Sequence, residues 1–236
     1  MKKLSILFIF LINFIFSQTG GGFGVGLLKN ASIMVGLNQS FYGEDWKEFL
    51  DEVESNGLDF TENPFRKINF SIVNEYEYGV LGGLKYLNYG YDIEYDGINN
   101  DGYTIDEESS LELQFIKLFL TYPVSPGLYV GVEGGYFMEG KYNYKFRNAN
   151  YYGNVYEDSG NTTIDREDLK DELELNDYDY GLIGQYYYNI KDNLLANVEV
   201  YYCLSEFSKD NNMFPFIFPN SFHYVNLGIV YKLGKK

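Results

Sequence analysis

The sequence predicts an all-β protein: an eight-stranded antiparallel up-and-down transmembrane β-barrel with short periplasmic turns and long acidic extracellular loops. Three observations lead to this prediction. Aromatic residues make up 19% of the chain, with 25 Tyr and 25 Gly, which favours strands and turns over helices. Several segments alternate apolar and polar residues with the period of a strand. The links between these segments alternate between short and long, as in outer-membrane barrels.

The chain begins with a segment typical of a secretory signal. Lys2 and Lys3 precede an apolar run from Leu4 to Phe16, which is shorter than the roughly 20 residues that a membrane-spanning helix needs. We therefore expect a signal peptide over residues 1–17, a flexible glycine-rich lead-in over 18–30 and the barrel domain over 31–236. Cys203 is the only cysteine, so no intramolecular disulfide is expected and its simplest role is packing.

Eight segments show the two-residue period of a strand. The apolar and polar positions exchange phase near Tyr86–Leu87, where we predict a β-bulge, and again near Phe115–Ile116. In the fifth segment all five charged residues fall on odd positions, which predicts one long strand with an apolar face and a charged face. The segments cover residues 32–42, 66–78, 80–95, 111–122, 128–147, 176–188, 194–205 and 223–233.

The links set the order of short turns and long loops. Short links lie around Tyr78–Gly79, at "PVSPG" and at "NIKDN", whereas long links cover 43–65, 96–110, 148–175 and 206–222. The first three long links hold 21 of the 34 acidic residues. Within the first, "EDWKEFLDEVES" has helical spacing of its apolar residues, which predicts a short helix capping the barrel.

Alternation alone fits either half of a soluble sheet or a strand in lipid. Lipid is favoured because the pattern in 128–147 extends for twenty residues, about twice the length that a tilted strand needs to cross a bilayer. Tyr142, Tyr144 and Phe146 on its apolar face are expected to form an aromatic girdle at the outer interface. Charges of mixed sign on the other face are expected to pair inside a small polar lumen. The predicted lumen network consists of Lys85, Lys117, Glu133, Glu139, Lys141, Glu199 and Lys232.

The last predicted strand carries the spacing of the C-terminal assembly signal of outer-membrane proteins. Its residues are Asn226, Gly228, Tyr231 and Leu233, with Leu233 where Phe is usual and Gly234–Lys236 trailing. This resemblance implies recognition by the barrel-assembly machinery.

Two segments, "VGLNQSFYG" and "LELQFIKLFLTYPVSPGLYVGVEGGYF", resemble the PorT-like, OmpX-like outer-membrane β-barrel family common in Bacteroidota. That family has a Gly-x-Asn-x-Ser first strand and a Leu-Glu-x-Pro sequence leading into the strand before a short turn, and here Gln114 stands at the proline position. The resemblance covers residues 31–233. It implies a barrel fold and a location in the outer membrane of a Gram-negative bacterium, and it brings no catalytic residues and no cofactor.

Other candidate chemistry is sparse. His223, the only histidine, is expected on the lipid or rim side of the last strand, and no nucleophile–base spacing predicts catalysis. Asp96, Asn99 and Asp101 form a candidate oxygen-rich metal loop, although they lack EF-hand spacing and fit ordinary turn chemistry. The formal net charge of −16 argues against nucleic acid as a partner. The expected partners are outer-membrane lipid and divalent cations at the acidic loops, while any protein partner in the envelope stays open.

Eight strands leave an interior just wide enough for side chains to fill. The leading prediction is therefore a non-enzymatic barrel, without a cofactor, that acts through its surface loops or as an envelope scaffold. Two alternatives stay open. One is a narrow channel or transporter gated by Lys85, Lys117, Glu133 and Glu199; the other, implied by the resemblance, is an accessory subunit of a secretion apparatus.

Overall fold

A computed structural model of the protein describes residues 31–42, 44–63, 66–150, 152–165, 176–206 and 221–233. The predicted signal peptide and lead-in lie outside these residues, as do parts of the third and fourth long links. The described elements are β1 (Ala31–Tyr42), α1 (Glu44–Ser55), β2 (Leu58–Asn63), β3 (Arg66–Glu75), a 3-10 turn (Glu77–Gly79), β4 (Leu81–Ile98), β5 (Thr104–Ser125), β6 (Leu128–Ala149), β7 (Val155–Ile164), β8 (Tyr178–Lys191), β9 (Leu194–Cys203) and β10 (Phe222–Lys232).

Eight of the strands close into an antiparallel barrel in the order β1-β3-β4-β5-β6-β8-β9-β10, and β10 pairs with β1 to complete the ring. The predicted eight-stranded up-and-down barrel is confirmed. The remaining two strands lie outside the ring: β2 pairs with β4, and β7 pairs with β6. We call the end with the turns at 76–80, 126–127 and 192–193 the lower end, and the opposite end the upper end.

The lower turns are short and use residues suited to them. Gly127, with φ +77°, lies between β5 and β6, where a Cβ atom would meet the main-chain oxygen of Tyr187. Tyr78 has φ +61° in the 3-10 turn between β3 and β4. At the upper end, the predicted loop 96–110 is mostly strand, because β4 continues to Ile98 and β5 begins at Thr104. The long links are thus partly strands that rise above the barrel.

An apolar belt surrounds the lower part of the barrel. Each strand of the ring contributes at least one side chain to this belt, and these side chains point outward, where they are exposed. A continuous exposed apolar surface of this size is unfavourable in water. Strands that face lipid require such a surface. The belt consists of Ile33, Val35, Leu37, Phe41, Ile68, Phe70, Ile72, Leu84, Leu120, Tyr122, Val124, Leu128, Val130, Val132, Tyr178, Tyr180, Leu182, Tyr186, Tyr188, Val198, Val200, Tyr202, Leu227, Ile229 and Tyr231.

Helix α1 confirms the predicted short helix near the barrel top. Trp46 on its inner side is buried, and the Trp46 ring lies 4.8 Å from the Tyr91 ring and 5.5 Å from the Phe49 ring, measured between centroids. The helix therefore joins the aromatic packing inside the upper end. Among the described residues, no helix has both the length and the apolarity that crossing a bilayer demands.

Along β4 and β5, the inward-facing side chains change from mainly polar in the lower part to mainly apolar in the upper part. On the lower part of β5, Lys117 and Thr121 point inward and are buried, while Leu120 points outward. Above Phe115 the inward residues Leu113 and Leu111 are buried and apolar, followed by the buried Ser109, while Glu112 is on the outward face. The β4–β5 ladder shows no register shift over residues 81–98. The β-bulge predicted near Tyr86–Leu87 is therefore wrong: the phase change marks a change of surroundings, and the backbone continues without interruption.

On β6 a β-bulge produces the same inversion. Phe115 pairs with Phe137, whereas Gln114 pairs with Glu139, so Met138 is an extra residue in this ladder. Below Met138 the odd-numbered side chains face inward, and above it the even-numbered side chains do so. Tyr142, two per cent exposed, is inside.

The aromatic girdle predicted on β6 is accordingly wrong. Tyr142, Tyr144 and Phe146 lie on the inner face above the bulge, where their rings follow one another at centroid distances of 6.0 and 6.4 Å. The charged residues of this part of β6 face outward into solvent.

The interior consists of three layers. At the lower end, a lower apolar layer of Met34, Leu195 and Val230 is buried with Tyr187 packed against it. The middle layer is polar. An upper apolar layer closes the other side and includes Trp46, Tyr91, Leu111, Leu113, Phe115, Phe137 and Phe222.

Candidate functional site in the barrel interior

Two buried lysines organise the middle layer. Lys85 on β4 and Lys117 on β5 are directly opposite each other in the ladder, and both side chains are fully buried. The Lys85 Nζ atom lies 2.5 Å from Glu133 Oε2, 2.5 Å from Glu199 Oε1 and 2.6 Å from Tyr224 Oη. An ammonium has three N–H donors, so every donor of Lys85 has an acceptor.

Lys117 is satisfied in the same way. Its Nζ atom lies 2.5 Å from Asp179 Oδ2 and 3.2 Å from Glu133 Oε1, and it also donates to the Tyr89 hydroxyl. Gly135, opposite Lys117 on β6, leaves the necessary space, because a Cβ atom there would overlap Lys117 and lie 2.8 Å from Asp179 Oδ1. Glu133 is thus shared by both lysines.

Tyrosine hydroxyls complete the coordination of the carboxylates. The Tyr224 hydroxyl lies 2.8 Å from Glu133 Oε1 and 2.9 Å from Glu199 Oε1, so it can donate to either. The hydroxyls of Tyr89 and Tyr201 both donate to Asp179 Oδ2, at 2.9 and 3.2 Å. These charge-assisted hydrogen bonds are the stronger class.

Aromatic rings also surround the ammonium groups. The Lys117 Nζ atom lies 3.7 Å from the centroid of the Tyr201 ring, and the Lys85 Nζ atom lies 5.2 Å from the centroid of the Phe119 ring. Such cation–π contacts are most favourable where water is excluded. We call Lys85, Lys117, Glu133, Asp179, Glu199, Tyr89, Tyr201 and Tyr224 the ionic cluster.

The ionic cluster joins β4, β5, β6, β8, β9 and β10 across the barrel, because each of these strands contributes at least one member. It contains three carboxylates and two ammonium groups. Breaking such a buried network by removing one partner is strongly destabilising, since the remaining charge is left unpaired. The network therefore holds the barrel in one arrangement, and its formal charge is −1 when all five groups are ionised.

Neutral amides line the rest of the middle layer. Asn38, Asn69, Asn197 and Asn226, which we call the amide cluster, are each at most two per cent exposed. Asn226 is directly opposite Glu199 on one side and Asn38 on the other. The Asn69 Nδ2 group donates to Asn226 Oδ1 at 2.8 Å. Amides and carboxylates are therefore contiguous in the interior.

The structure brings together four of the residues predicted to form the lumen network: Lys85, Lys117, Glu133 and Glu199. Lys232 also has inward parity, but it lies at the lower rim, where it pairs across the ladder with Ser32 and is partly exposed.

Two predicted lumen residues, Glu139 and Lys141, are not in the interior. Both lie above Met138 on the outward face of β6, opposite Gln114 and Glu112 on β5. The prediction was wrong because the bulge exchanges the two faces of the strand at this point.

Sequence reasoning missed Asp179, Gln185, Tyr89, Tyr201 and Tyr224. Asp179 and Gln185 lie on the polar parity of a correctly predicted strand, so that parity was a usable signal. Gln185 Nε2 donates to Glu199 Oε2 at 2.7 Å. The β-bulge predicted near Tyr86–Leu87 obscured the inward position of Tyr89, because a bulge would exchange the two faces of β4 below that residue. Tyr201 and Tyr224 also have inward parity, with Glu199 and Asn226 respectively. Their role was not recognised, because parity does not distinguish them among the 25 tyrosines of the chain.

The residues of the predicted assembly signal separate onto the two faces of β10. Asn226 and Gly228 have inward parity, and Asn226 is fully buried. Tyr231 and Leu233 are exposed on the outside at the lower end. The Leu233 amide donates to the Ala31 main-chain oxygen at 2.9 Å, next to the seam of the barrel. The two outward residues are therefore accessible to a partner.

The candidate metal loop has a structural role in the β4–β5 turn. Asn99 Oδ1 accepts hydrogen bonds from the main-chain N–H groups of Asp101 and Tyr103 at 3.1 and 2.9 Å. Asp96 lies opposite Asp106 in the ladder. Within the described ranges, no three His, Cys, Asp or Glu residues are grouped as metal ligands.

His223 lies on the outer face near the upper edge of the belt. Its Nδ1 atom accepts a hydrogen bond from the Cys203 main-chain N–H at 3.0 Å, and its ring stacks on Tyr202 at a centroid distance of 4.6 Å. Ser221 Oγ lies 3.5 Å from Nε2. With Nδ1 accepting, the neutral ring carries its proton on Nε2, so it does not act as a base towards Ser221.

A closed eight-stranded antiparallel ring with an apolar belt and a filled interior defines the class: a small membrane-spanning β-barrel.

Solved structures to which the chain is similar include Ail, the attachment invasion locus protein of Yersinia pestis, with 12% identity, a TM-score of 0.40, and coverage of 85% of this chain and 96% of that chain. CarO of Acinetobacter baumannii is 12% identical with a TM-score of 0.37, over 84% and 96% of the two chains. The outer membrane protein OprG of Pseudomonas aeruginosa is 12% identical with a TM-score of 0.35, over 87% and 96%. No protein-family model matches the sequence, and no curated protein matches it.

Proposed function

We propose that this chain is a non-enzymatic barrel of the outer membrane of a Gram-negative bacterium, with a lumen that does not conduct and an upper sheet that carries its function. The observation that carries this proposal is the position of the ionic cluster between two apolar layers. An ion entering from either end would meet packed apolar side chains, and then side chains that already have partners. Eight strands leave little further space.

The second part of the proposal rests on the upper sheet, which we define as β2, β7 and the parts of β4, β5 and β6 above the level of Tyr86 and Phe115. Its outer face bears carboxylates in like-charge pairs: Glu94 is directly opposite Glu108, and Asp96 is directly opposite Asp106. Like charges directly opposite each other are destabilising. Their presence on a continuous β-hairpin favours a function that needs negative charge at the cell surface.

Basic residues on β6 and acidic residues on β7 continue this face. Lys145 Nζ lies 2.9 Å from Glu108 Oε1, and Arg147 Nε lies 2.9 Å from Glu157 Oε1. The side chains of all four are exposed by half or more, so the pairs are solvated and contribute little to stability. The upper sheet thus presents stripes of alternating charge to a partner.

Conductance in planar lipid bilayers tests the closed lumen. The refolded protein is expected to insert, to show heat-modifiable migration on gels and to give no steady current. A reproducible single-channel conductance would overturn the closed lumen and support the alternative of a narrow channel gated by the ionic cluster. The matched variant is Phe115→Gly, which opens the upper apolar layer: current in this variant alone would show that the method detects an opened barrel.

Location and orientation need a separate test. The protein is expected in the outer-membrane fraction, and protease added to whole cells is expected to cut within residues 148–175 while the barrel stays intact. Cutting only after the outer membrane is opened would contradict the orientation. Calcium titrated in the same assay tests the proposed sharing of divalent cations between acidic loops and lipid headgroups, which predicts lower protease sensitivity.

Two further partners follow from sequence resemblance and are proposed here. Recognition by the barrel-assembly machinery predicts that Tyr231→Ala lowers the amount of assembled barrel in cells, while the same variant refolds normally in detergent. A PorT-like role as an accessory subunit of a secretion apparatus predicts that the barrel co-purifies with other envelope proteins under mild detergent. Purification as a lone chain would count against that role.

A further inference from the structure

The middle layer contains one carboxylate more than it has ammonium groups. Glu133 lies within 3.2 Å of both lysines, and Asp179 receives Lys117 and two tyrosine hydroxyls. Glu199 receives Lys85 alone among the cations. Its second oxygen accepts only the neutral Gln185 amide, at 2.7 Å. Asp179 Oδ1 is also buried without a hydrogen-bond partner among the described residues, but it lies beside Gly135 on β6. Glu199 is the carboxylate that lies directly opposite an amide, Asn226.

The amide cluster lies beside this carboxylate. Asn226 is directly opposite Glu199 on β10, and Asn197 is two residues below Glu199 on the same face of β9. Asn38 is directly opposite Asn226 on β1, and side chains in directly opposite positions lie close together. The amide cluster and Glu199 thus line one part of the interior.

Several amide oxygens in this part lack donors. The Oδ1 atoms of Asn38, Asn69 and Asn197 are buried and accept no hydrogen bond from the described residues. The amide nitrogens of these three residues are used elsewhere: Asn38 Nδ2 donates to the Asn88 main-chain oxygen at 2.5 Å, Asn69 Nδ2 to Asn226 Oδ1, and Asn197 Nδ2 to the Tyr186 main-chain oxygen at 3.4 Å. Asn226 differs, because its Oδ1 atom has a donor while its Nδ2 group has no acceptor among the described residues. Buried polar groups are nearly always satisfied in folded proteins, so these oxygens call for a donor or a cation.

We propose that Glu199 and the amide cluster bind one monovalent metal cation, Na⁺ or K⁺. Carboxylate and amide oxygens are the ligands that hard cations prefer, and amide carbonyl oxygens can replace the hydration shell of an alkali cation. A single positive charge neutralises the formal charge of the ionic cluster and gives the donor-less oxygens a partner. A divalent ion would leave the ionic cluster with an excess positive charge, so a monovalent one is favoured. The inference does not depend on the barrel being closed or on its function at the surface.

The test measures thermal stability of the detergent-refolded barrel, followed by loss of the compact gel form, in NaCl, KCl and choline chloride at equal ionic strength. One of the metal salts is expected to raise the midpoint temperature in a saturable way, by at least about 3 °C over choline. Glu199→Gln removes the excess charge while keeping an acceptor for Lys85, and it is expected to abolish the difference between salts. Asn69→Ala is expected to shift the titration to higher cation concentration, and it serves alone if Glu199→Gln does not fold.

Ser109→Ala is the matched control. Ser109 is also buried and hydrogen bonded, 3.0 Å from the Tyr142 hydroxyl, but it lies in the upper sheet, so the cation effect is expected to persist. Equal midpoints in all three salts would mean that water alone satisfies the amides, and would overturn the proposal. A midpoint that falls with rising pH equally in all salts would assign neutralisation to a proton and would overturn it as well.

Discussion

The lower wall of the barrel and the upper sheet share strands but have opposite polarity. In the lower wall, Val130 and Val132 point outward while Glu133 is buried. In the upper sheet the same strand places Tyr142 inside and Lys141 outside. Polar side chains thus point inward in the lower wall and outward in the upper sheet. The level at which this changes marks the boundary between lipid and water.

The strands reach this inversion by different means. On β4 and β5 the residue pattern changes phase while the backbone runs straight through, at Tyr86 opposite Ile116 and Leu87 opposite Phe115. On β6 the residue pattern keeps its phase, and the backbone inserts Met138. Since one extra residue exchanges the two faces of a strand, both solutions produce the same arrangement in space. A continuous alternation in a sequence is thus no proof of a continuous face.

Deletion of Met138 is expected to have the largest effect on this comparison. Without the extra residue, β6 cannot keep both Glu133 and Tyr142 inside, so either the ionic cluster or the inner aromatic face is lost. We expect no stable upper sheet, detected as rapid proteolysis between residues 139 and 165 in detergent, with the heat-modifiable form reduced or absent.

Met138→Ala is the control for the deletion. Its side chain is nearly half exposed, so truncation is expected to cost little while the residue count is preserved. If the deletion variant were as protease-resistant as Met138→Ala, the bulge would not determine which face of β6 points inward.

Lys117→Met and Phe115→Met compare how much the polar middle layer and the upper apolar layer contribute to stability. The variant leaves Asp179 and part of Glu133 uncompensated, and it is expected to lower the free energy of unfolding in urea by about 3–5 kcal/mol. Phe115→Met, two residues away on the same inward face of β5, conserves size in an apolar layer and is expected to cost less than about 1.5 kcal/mol.

The double variant Lys117→Met with Asp179→Asn sharpens this prediction. It removes one charge of each sign, so part of the lost stability should return. Failure of Asp179→Asn to improve on Lys117→Met would show that the pair is not energetically coupled.

The fold was predictable because parity and link length depend only on local sequence. The eight predicted segments place their apolar residues outward in the lower wall, and Lys85, Lys117, Glu133 and Glu199 meet as expected from their parity alone. Met138 could not be recognised, since a bulge adds a residue without a distinctive side chain. Glu139 and Lys141 were misplaced for that reason. Asp179 as a partner of Lys117 required knowledge of strand pairing across the barrel, which one sequence does not contain.

Val132→Lys compares the outward faces of the two regions on one strand. Val132 belongs to the apolar belt and is 57% exposed, so a lysine there is expected to cost about 2–4 kcal/mol near the membrane midplane. Asn143→Lys, on the outward face above the bulge, is expected to be neutral because that face is in water. Folding yield into lipid vesicles measures both. Equal yields would contradict the assignment of the belt to lipid.

Glu107→Gln is expected to have the smallest effect and probes the inner face of the upper sheet. Burial raises the pKa of Glu107, while a hydrogen bond with Tyr95 acts in the opposite direction. The folded state thus holds this proton more tightly than the unfolded chain, so the free energy of unfolding falls as pH rises from the ordinary glutamate pKa through the raised one.

Glu107→Gln removes that loss and is expected to stabilise the protein at neutral pH by less than about 1 kcal/mol, because partial exposure weakens the effect. Below the ordinary pKa of glutamate the variant and the parent protein should have equal stability in urea. A gain in stability that is the same at every pH would contradict burial of the Glu107 carboxyl as its cause.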